Sequence, residues 1–209
     1  APAGKAALLD AGFSALDQHE VIIAPIANEP GRLGRLAREV ADTGAGLSPH
    51  AGKWTSLAID ASGNPVIAHQ DVKGGDLRIA RRSADGTWSA EVAFDGQDQG
   101  DRDASAGMFN RLVIHDGVEY VAFYDGAARS LNLVEGTSGS YTHSTVHVGG
   151  DVGQWPSLWT DGTEVLIAFH AVGPQDLMLA RRTGGGSFDL EIVDDGEYMG
   201  ADTEIFVRD

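Results

Sequence analysis

The sequence contains no cysteine and no long apolar run among its 209 residues. Without cysteine the chain can form neither a disulfide framework nor a cysteine-based zinc site, and it has no thiol nucleophile. No stretch approaches the roughly 20 apolar residues that a membrane-spanning helix requires, so we expect no insertion into a membrane. The absence of cysteine does not fix the compartment, although Ala1-Pro2-Ala3 has the small residues found beside a cleaved secretory signal.

Basic residues are also scarce. There are 15 lysines and arginines against 31 aspartates and glutamates, which gives a formal net charge of -16. A charge of this sign repels nucleic-acid phosphates and anionic lipids, and we therefore expect neither as a partner. The acidic excess is compatible with divalent-cation sites or with a basic partner, and equally with a role in solubility alone.

The chain contains an internal repeat. In residues 54–88, short runs of alternating apolar residues are separated by Gly, Asn, Asp or Ser, and the same order returns in residues 109–134 and 155–181. Alternation with a period of two predicts strands, and the intervening residues predict hairpins and loops. The equivalent leucines of the three copies are Leu57, Leu112 and Leu158.

Each copy closes with a fourth, weaker alternating run. Four strands at a period of roughly 40 to 50 residues are typical of propeller blades. The sequence thus predicts an all-β fold, a β-propeller of four-stranded antiparallel blades, with about four blades in this chain plus one extra terminal strand. The predicted blades cover residues 7–45, 53–97, 108–150 and 154–196, and the extra strand covers residues 201–209. Asp116-Gly117 and Asp161-Gly162 predict tight hairpins with positive φ.

Residues 201–209 restart the repeat, because Ile205 stands where Leu158 stands in the copy before it. A terminal strand stays ordered only when another strand pairs with its edge. Two explanations are open at this point. Either the strand returns to the N-terminal repeat and closes a four-bladed ring, or the remaining blades of a larger propeller lie on a second polypeptide.

The repeats resemble those of bacterial secreted or envelope β-propeller proteins that are abundant in myxobacteria. Blades of that group read aromatic-x-S-L-x-x-D-x-x-G-x-P-x-I-A-aromatic-x-D, then L-x-x-A, then G-x-W. The second repeat supplies this pattern almost in full, with Trp54, Ser56, Leu57, Asp60, Gly63, Pro65, Ile67, Ala68, Asp71, Leu77, Ala80, Gly86 and Trp88. The resemblance covers about nine tenths of the chain. It implies the fold and a secreted, periplasmic or cell-surface location, and it implies no activity.

The stretch Ser83-Ala84-Asp85-Gly86-Thr87-Trp88 is similar to a shortened Asp box, the loop between the third and fourth strands of sialidase-like propellers. Its spacing departs from the pattern of that family. An Asp box shapes a turn and carries no catalysis, so this distant likeness implies architecture and leaves sialidase activity unsupported.

One face of the predicted propeller concentrates the acidic residues. Loops between second and third strands emerge on the same face as the loops between blades, and both kinds of loop carry carboxylates. The third strands end at the opposite face, where we expect a basic edge and hence an electrically polar molecule. The arginines concerned are Arg35, Arg38, Arg81, Arg82, Arg181 and Arg182.

The longest loop between predicted blades has the sequence DGQDQGDRD. Calcium takes several carboxylate and carbonyl oxygens from a flexible, glycine-containing loop of this kind, although the loop does not match an EF-hand. The candidate calcium ligands are Asp95, Asp98, Asp101 and Asp103. A solvated loop without a metal is the alternative.

Two sets of ring-bearing side chains also recur. One set lies at the entry to the innermost strands, where it can line the acidic mouth or pack. The other set, His69, Tyr124 and His170, lies at the ends of the second strands, where acid-base chemistry and packing between blades are both open. The candidate ligand-binding residues of this face are Trp54, Asp71, Phe109, Tyr124, Asp125, Trp155 and His170.

The sequence contains no glycine-rich phosphate loop before a helix, no HExxH and no GxSxG. We therefore expect a non-catalytic binding or assembly propeller that contacts a carbohydrate or protein partner, with calcium as the one candidate cofactor. A glycoside hydrolase or lyase is the first alternative, and one cleaved chain of a larger propeller complex is the second. The carboxylates available to the hydrolase are Asp71, Asp101, Asp103 and Asp125.

Overall fold

The computed structural model describes residues 51–96, 106–196 and 199–207. Within these ranges the chain is all-β, with twelve strands and no helix. Accordingly, the described residues contain no helix suited to crossing a membrane. The predicted blade at residues 7–45 lies outside the described residues.

The strands form three antiparallel sheets, each with its four strands in sequence order. Sheet A consists of β1 (Ala51–Ile59), β2 (Pro65–Asp71), β3 (Asp76–Arg82) and β4 (Trp88–Phe94). Sheet B consists of β5 (Met108–His115), β6 (Val118–Asp125), β7 (Ser130–Thr137) and β8 (Ser140–Val148). Sheet C consists of β9 (Val152–Thr160), β10 (Glu164–Ala171), β11 (Asp176–Thr183) and β12 (Asp189–Asp194). The prediction of four strands per repeat is confirmed for these three copies.

The three sheets have the same strand register. Leu57 pairs with Ile67, Leu112 with Val121, and Leu158 with Ile167, so the leucines aligned from the sequence occupy equivalent positions. Successive side chains of a strand point to opposite faces of the sheet. Each sheet therefore has two apolar faces, one on the side of the preceding sheet in chain order and one on the side of the following sheet.

The core lies between consecutive sheets. One cluster of buried side chains joins Val66, Leu77 and Ile79 of sheet A to Leu112 and Phe123 of sheet B. The second cluster joins the other face of sheet B to sheet C, and its largest fully buried members are Leu131, Leu133, Ile167 and Phe169. The first strands also follow one another, since β1 contacts β5 and β5 contacts β9.

The turns between strands follow their sequence signals. Asp116 and Gly117 both have positive φ, at 48° and 79°, and Gly162 has a φ of 84°, as tight hairpins require. In the segment similar to an Asp box, Asp85 Oδ1 accepts hydrogen bonds from the Ser83 hydroxyl and the Thr87 N–H. That carboxylate therefore shapes a turn.

The expected basic edge does not hold for three of the arginines that end third strands, because each is paired with glutamate. The Arg81 guanidinium binds Glu119 of sheet B and Glu91 of its own sheet, with the shortest N to O distances at 2.5 Å. Arg182 binds Glu135, and Arg181 binds Glu164. These cations are neutralised within the fold.

Candidate functional site

Three aromatic side chains form a row at one end of the sheets. The ring centroids of Trp54 and Phe109 are 4.0 Å apart, and those of Phe109 and Trp155 are 4.8 Å apart. Each belongs to the first strand of its sheet. Trp54 is 41% exposed, while Phe109 and Trp155 are half-buried. The structure thus brings together all three predicted aromatic residues, which we call the aromatic row.

Each residue of the aromatic row has a left-handed backbone. The φ angles are 50° at Trp54, 53° at Phe109 and 48° at Trp155. This conformation is a steric outlier for a bulky side chain and costs on the order of 1–3 kcal/mol, whereas glycine adopts it freely. Three large aromatic residues thus occupy equivalent positions at which glycine would adopt the same backbone conformation with a smaller free-energy cost.

The left-handed residues lie in β-bulges of the first strands. The strand register shifts between Lys53 and Ser56, and between Met108 and Arg111, which places the aromatic residue in the extra position. The bulge turns the backbone carbonyl of the aromatic residue towards the next sheet. There the Asn110 side-chain amide donates a hydrogen bond to the carbonyl of Trp54. The backbone geometry is therefore part of the contact between sheets, but this contact does not require an aromatic side chain.

The predicted carboxylates Asp71 and Asp125 lie at the same end of the sheets, as the last residues of the second strands β2 and β6. Asp71 Oδ1 accepts hydrogen bonds from the N–H groups of Lys73 and Gly74, and its Oδ2 lies 3.3 Å from Arg78 Nη1. Partial burial alone raises the pKa of Asp71, but the bonds from Gly74, Arg78 and Lys73 outweigh it and hold the pKa below its usual value. Asp71 is an ionised turn-forming residue.

Asp125 has the equivalent role in sheet B. Its Oδ1 accepts hydrogen bonds from the N–H groups of Ala127 and Ala128. In sheet A the neighbouring carboxyl of Asp76 differs from Asp71, because burial together with repulsion from Asp95 and Asp71 raises its pKa despite a bond from the Gly96 N–H. The pKa values of the two carboxyls that flank the β2–β3 turn, Asp71 and Asp76, are thus shifted in opposite directions.

Tyr124 and His170 are buried beneath the aromatic row. The Tyr124 hydroxyl donates to Asp151 Oδ1 at 2.7 Å, and the His170 Nδ1 contacts the carbonyl of Met199. Burial, followed by the bond to Asp151, raises the pKa of Tyr124, which keeps the phenol protonated. Phe109 lies 6.1 Å from the Tyr124 ring, and Trp155 lies 5.8 Å from the His170 ring. Both predicted residues support the aromatic row from below.

The predicted equivalence of His69 with Tyr124 and His170 is wrong by one residue. Ala68 pairs with Ile79, and Ala122 with Leu133, so His69 corresponds to Phe123. The residue that corresponds to Tyr124 is Gln70, which is buried and whose side-chain nitrogen has no hydrogen-bond partner. Aligning the copies by ring-bearing residues concealed this shift.

A depression of about 530 Å³ lies between the β6–β7 turn and the start of sheet C, and it includes Asp151, the partner of Tyr124. Its polar side chains are Arg129 and Asp151, and its floor includes Gly149, Gly150 and Gly173. Arg129 is exposed. The end of the sheets that carries the aromatic row therefore offers a cation and a carboxylate as well as the exposed Trp54 ring and the half-buried rings of Phe109 and Trp155.

Three residues of this end were not among the predicted site residues: Asp76, Arg129 and Asp151. Each follows a second strand or separates two repeats, so the loop positions were visible in the sequence. Their partners depend on contacts between distant segments, such as Asp151 with Tyr124.

The predicted calcium loop is described only in part. Asp95 follows β4, while Asp98, Asp101 and Asp103 lie outside the described residues. In the part of the chain that the structure describes, no group of three or more acidic or histidine side chains is arranged to hold a metal. The calcium site stays a prediction.

Comparisons with known proteins give a structural likeness but no family. The sequence matches no protein-family model, and no curated protein matches it. Among solved structures, the chain is similar to a bifunctional GH43-CE protein from Bacteroides eggerthii, with 14% sequence identity and a TM-score of 0.46. The similarity covers 68% of this chain and 20% of that one, so the chain spans about a fifth of that protein's length. A similarity at this level assigns neither an activity nor a ligand to this chain.

Proposed function

We propose that sheets A, B and C are consecutive blades of a β-propeller, and that the chain is a non-catalytic carbohydrate-binding module of the cell surface or extracellular space. The aromatic row is the binding surface. The observation that carries this proposal is the presence of Trp54, Phe109 and Trp155 at three equivalent left-handed backbone positions.

The aromatic row suits a sugar ring because its side chains present apolar faces next to polar groups. Binding sites for small molecules combine aromatic walls with a few well-placed polar groups that fix orientation. Arg129 and Asp151 of the neighbouring depression can donate to and accept from hydroxyl groups. Backbone strain that recurs at one site is often associated with function, and here it presents the rings at the end of the first strands.

A protein partner is the other class of ligand predicted from the sequence. Exposed aromatic residues also anchor protein interfaces. The half-buried Phe109 and Trp155 leave Trp54 as the most exposed member of the row, and this narrow aromatic surface fits a single sugar chain better than a broad interface.

Screening on an array of defined oligosaccharides, followed by calorimetry with the strongest binder, tests the proposal. We expect Trp54→Ala to weaken binding about tenfold, which corresponds to about 1.4 kcal/mol. The matched control is Trp88→Ala. Trp88 is 47% exposed but lies at the start of β4, opposite Arg82, at the other end of sheet A.

The control separates a binding role from loss of folding. Unchanged affinity in Trp88→Ala, with both variants melting like the parent protein, supports the aromatic row as the site. An equal loss in both variants contradicts it, and a protein that binds none of the oligosaccharides excludes the carbohydrate proposal.

The hydrolase alternative has one favourable observation, the opposite pKa shifts of Asp71 and Asp76. Carboxyl pairs with divergent pKa values supply the base and acid of many hydrolases. Asp71, however, already accepts two backbone hydrogen bonds and an arginine contact. Release of reducing ends from the bound oligosaccharide, lost in Asp76→Asn, would replace the binding proposal with the enzymatic one.

A further inference from the structure

The segment after sheet C contacts that sheet as a first strand contacts the sheet before it. The Leu112 N–H of sheet B donates to Ser56 Oγ of sheet A at 2.9 Å. The Ile205 N–H donates to Ser157 Oγ of sheet C at 2.8 Å. Ser56 and Ser157 each precede the equivalent leucine of their own sheet, so the two hydrogen bonds are the same contact of the repeat.

A glycine makes the same close approach in this segment as in the first strands. A Cβ on Gly107, two residues before the aromatic residue of β5, would lie 3.1 Å from the Leu77 Cα. A Cβ on Gly200 would lie 3.2 Å from the Cα of Leu177, which is the equivalent leucine of sheet C. Residues 200–205 therefore follow the path of a first strand.

This path places Asp202 at the next position of the aromatic row. Asp202 stands three residues before Ile205, as Trp155 stands before Leu158. Its φ is 56°, in the same left-handed region as the 48° of Trp155. The row therefore continues from three rings to a carboxylate.

A hydrogen bond fixes the step from Trp155 to Asp202. The Thr203 hydroxyl donates to the carbonyl of Trp155 at 2.8 Å, as the Asn110 side-chain amide donates to the carbonyl of Trp54. Each donor directly follows the next member of the row in the sequence. The first two members, which are related by this contact, have ring centroids 4.0 Å apart. The Asp202 side chain thus lies at the end of the row, beside Trp155.

The Asp202 carboxylate is free to contact a ligand. Asp202 is exposed, and no ion pair or hydrogen bond joins its side chain to another residue that the structure describes. By contrast, Asp71 accepts two backbone N–H groups and contacts Arg78, and Asp151 accepts a hydrogen bond from Tyr124. A cationic ligand therefore displaces no described partner at Asp202.

Two further features favour a cationic sugar over a neutral one. Aromatic faces attract cations through the ring quadrupole, and tryptophan does so most strongly. The chain also carries a formal charge of -16, so its potential attracts positively charged ligands. An ammonium group on a sugar ring can contact an aromatic face and a carboxylate together, and its hydrogen bond to the carboxylate is charge-assisted.

We propose that Asp202 is a specificity-determining residue at the end of the aromatic row and binds the ammonium group of an amino sugar. The proposal rests on the proposed function, because the aromatic row has to hold the sugar chain before Asp202 can select its charge. The ligand class is an oligosaccharide that contains sugar residues with a free amino group.

Calorimetry with three hexasaccharides tests the proposal. The hexamers of glucose, glucosamine and N-acetylglucosamine in β-1,4 linkage differ only at carbon 2, which carries a hydroxyl, an ammonium or an acetamide group. At a pH at which the amino groups are protonated, we expect the glucosamine hexamer to bind about tenfold more tightly than the other two, as one hydrogen bond between charged groups provides. Asp202→Asn should remove this preference and leave the affinity for the glucose hexamer unchanged.

The substitution and its control remove the same charge. Asparagine adopts a left-handed backbone as aspartate does, so Asp202→Asn preserves the path of the segment. The matched control is Asp189→Asn in the exposed strand β12. Asp189 lies opposite Arg181, at the other end of sheet C, and we expect this variant to keep the preference for glucosamine.

The other outcomes distinguish failure of this inference from failure of the proposed function. Equal affinities for the three hexamers, each weakened by Trp54→Ala, overturn the selection of an amino sugar and keep the aromatic row as a binding site. Equal loss of the preference in Asp189→Asn assigns it to net charge instead of Asp202. Tighter binding of an acidic oligogalacturonate, which would pair with Arg129, also overturns the inference. Affinities that Trp54→Ala leaves unchanged contradict the proposed function itself.

Discussion

At the scale of single residues, the contact between sheets A and B depends on a charge network. Arg81 extends from β3 to the buried Glu119 of β6 and also contacts Glu91 and the Tyr141 hydroxyl. Burial alone would lower the pKa of Arg81, but the hydrogen bonds and charge of Glu119 raise it. The same surroundings raise the pKa of Tyr141, chiefly through burial and the bond to Glu119. Both groups thus keep their protons throughout the physiological range.

Replacing Glu119 with glutamine removes the buried partner of Arg81. Loss of one partner from a buried ion pair costs about 3–5 kcal/mol, and because Glu91 remains we expect about 2 kcal/mol in the free energy of unfolding from urea denaturation. Glu164→Gln is the matched control. Its partner Arg181 is 62% exposed, so the loss should stay below about 1 kcal/mol. Equal losses in the two variants would show that the network contributes no more than a surface ion pair.

At the scale of elements, two glycines set how closely consecutive sheets approach: Gly107, immediately before β5, and Gly153 in β9. Gly153 has a φ of 104°, and a Cβ there would lie 2.5 Å from the Leu131 Cβ and 2.6 Å from its Cα. Backbone atoms cannot move aside as a flexible side chain can. Gly52 holds the equivalent position in sheet A, where a Cβ would meet nothing within 4 Å.

Gly153→Ala should therefore separate sheets B and C. We expect a loss of about 3 kcal/mol, because overpacking adds to the cost of a left-handed residue with a Cβ. Gly117→Ala isolates the cost of the left-handed backbone, since Gly117 has a φ of 79° and open space around it. We expect this variant to lose only about 1 kcal/mol in the free energy of unfolding. Thermal melts of the two variants provide the measurement, and a Gly153 variant as stable as the Gly117 variant would contradict close approach at this glycine.

The strands and hairpins were predicted from the sequence more accurately than their backbone conformation and register. Period-two alternation and Asp-Gly pairs identify strands and hairpins because both signals are local. The left-handed backbone of Trp54 was not predictable, because intrinsic preference argues against it and the stabilising contacts come from the next sheet. The equivalence of His69 with Phe123, one residue away from the predicted equivalence with Tyr124, was hidden for a related reason, since register is set by strand pairing. Among the predicted site residues, Asp71 and Asp125 were placed at the correct end, but their roles in the turns became visible only in the hydrogen bonds.

At the scale of the whole molecule, the outer faces of the first and the last described sheets, A and C, are incompletely buried. Leu57 of sheet A is 62% exposed, whereas Leu112 and Leu158, its equivalents, are 4% and 5% exposed. On sheet C, Leu166, Ala168, Leu177 and Leu179 are half-buried, whereas their equivalents in sheets A and B are buried. Each described core cluster joins the back of one sheet to the front of the next.

Net charge acts on the same scale. A formal charge of -16 on 209 residues opposes compaction through self-repulsion, and the acidic loop at residues 95–103 concentrates part of this charge. Any cation raises the stability of the fold by screening the repulsion between the carboxylates. A specific calcium site would raise it further, by about 2.7 kcal/mol when free calcium exceeds its dissociation constant a hundredfold.

Melting curves in calcium chloride and in magnesium chloride at equal ionic strength separate screening from binding. We expect the melting temperature to rise more in calcium, because calcium accepts an irregular arrangement of oxygen ligands while magnesium demands an octahedral one. Asp101→Asn should abolish this difference, whereas Asp189→Asn, in the exposed strand β12, should preserve it. Identical melting temperatures in the two salts would mean that the loop carries its carboxylates without a bound metal, and that screening alone explains the response of the molecule to cations.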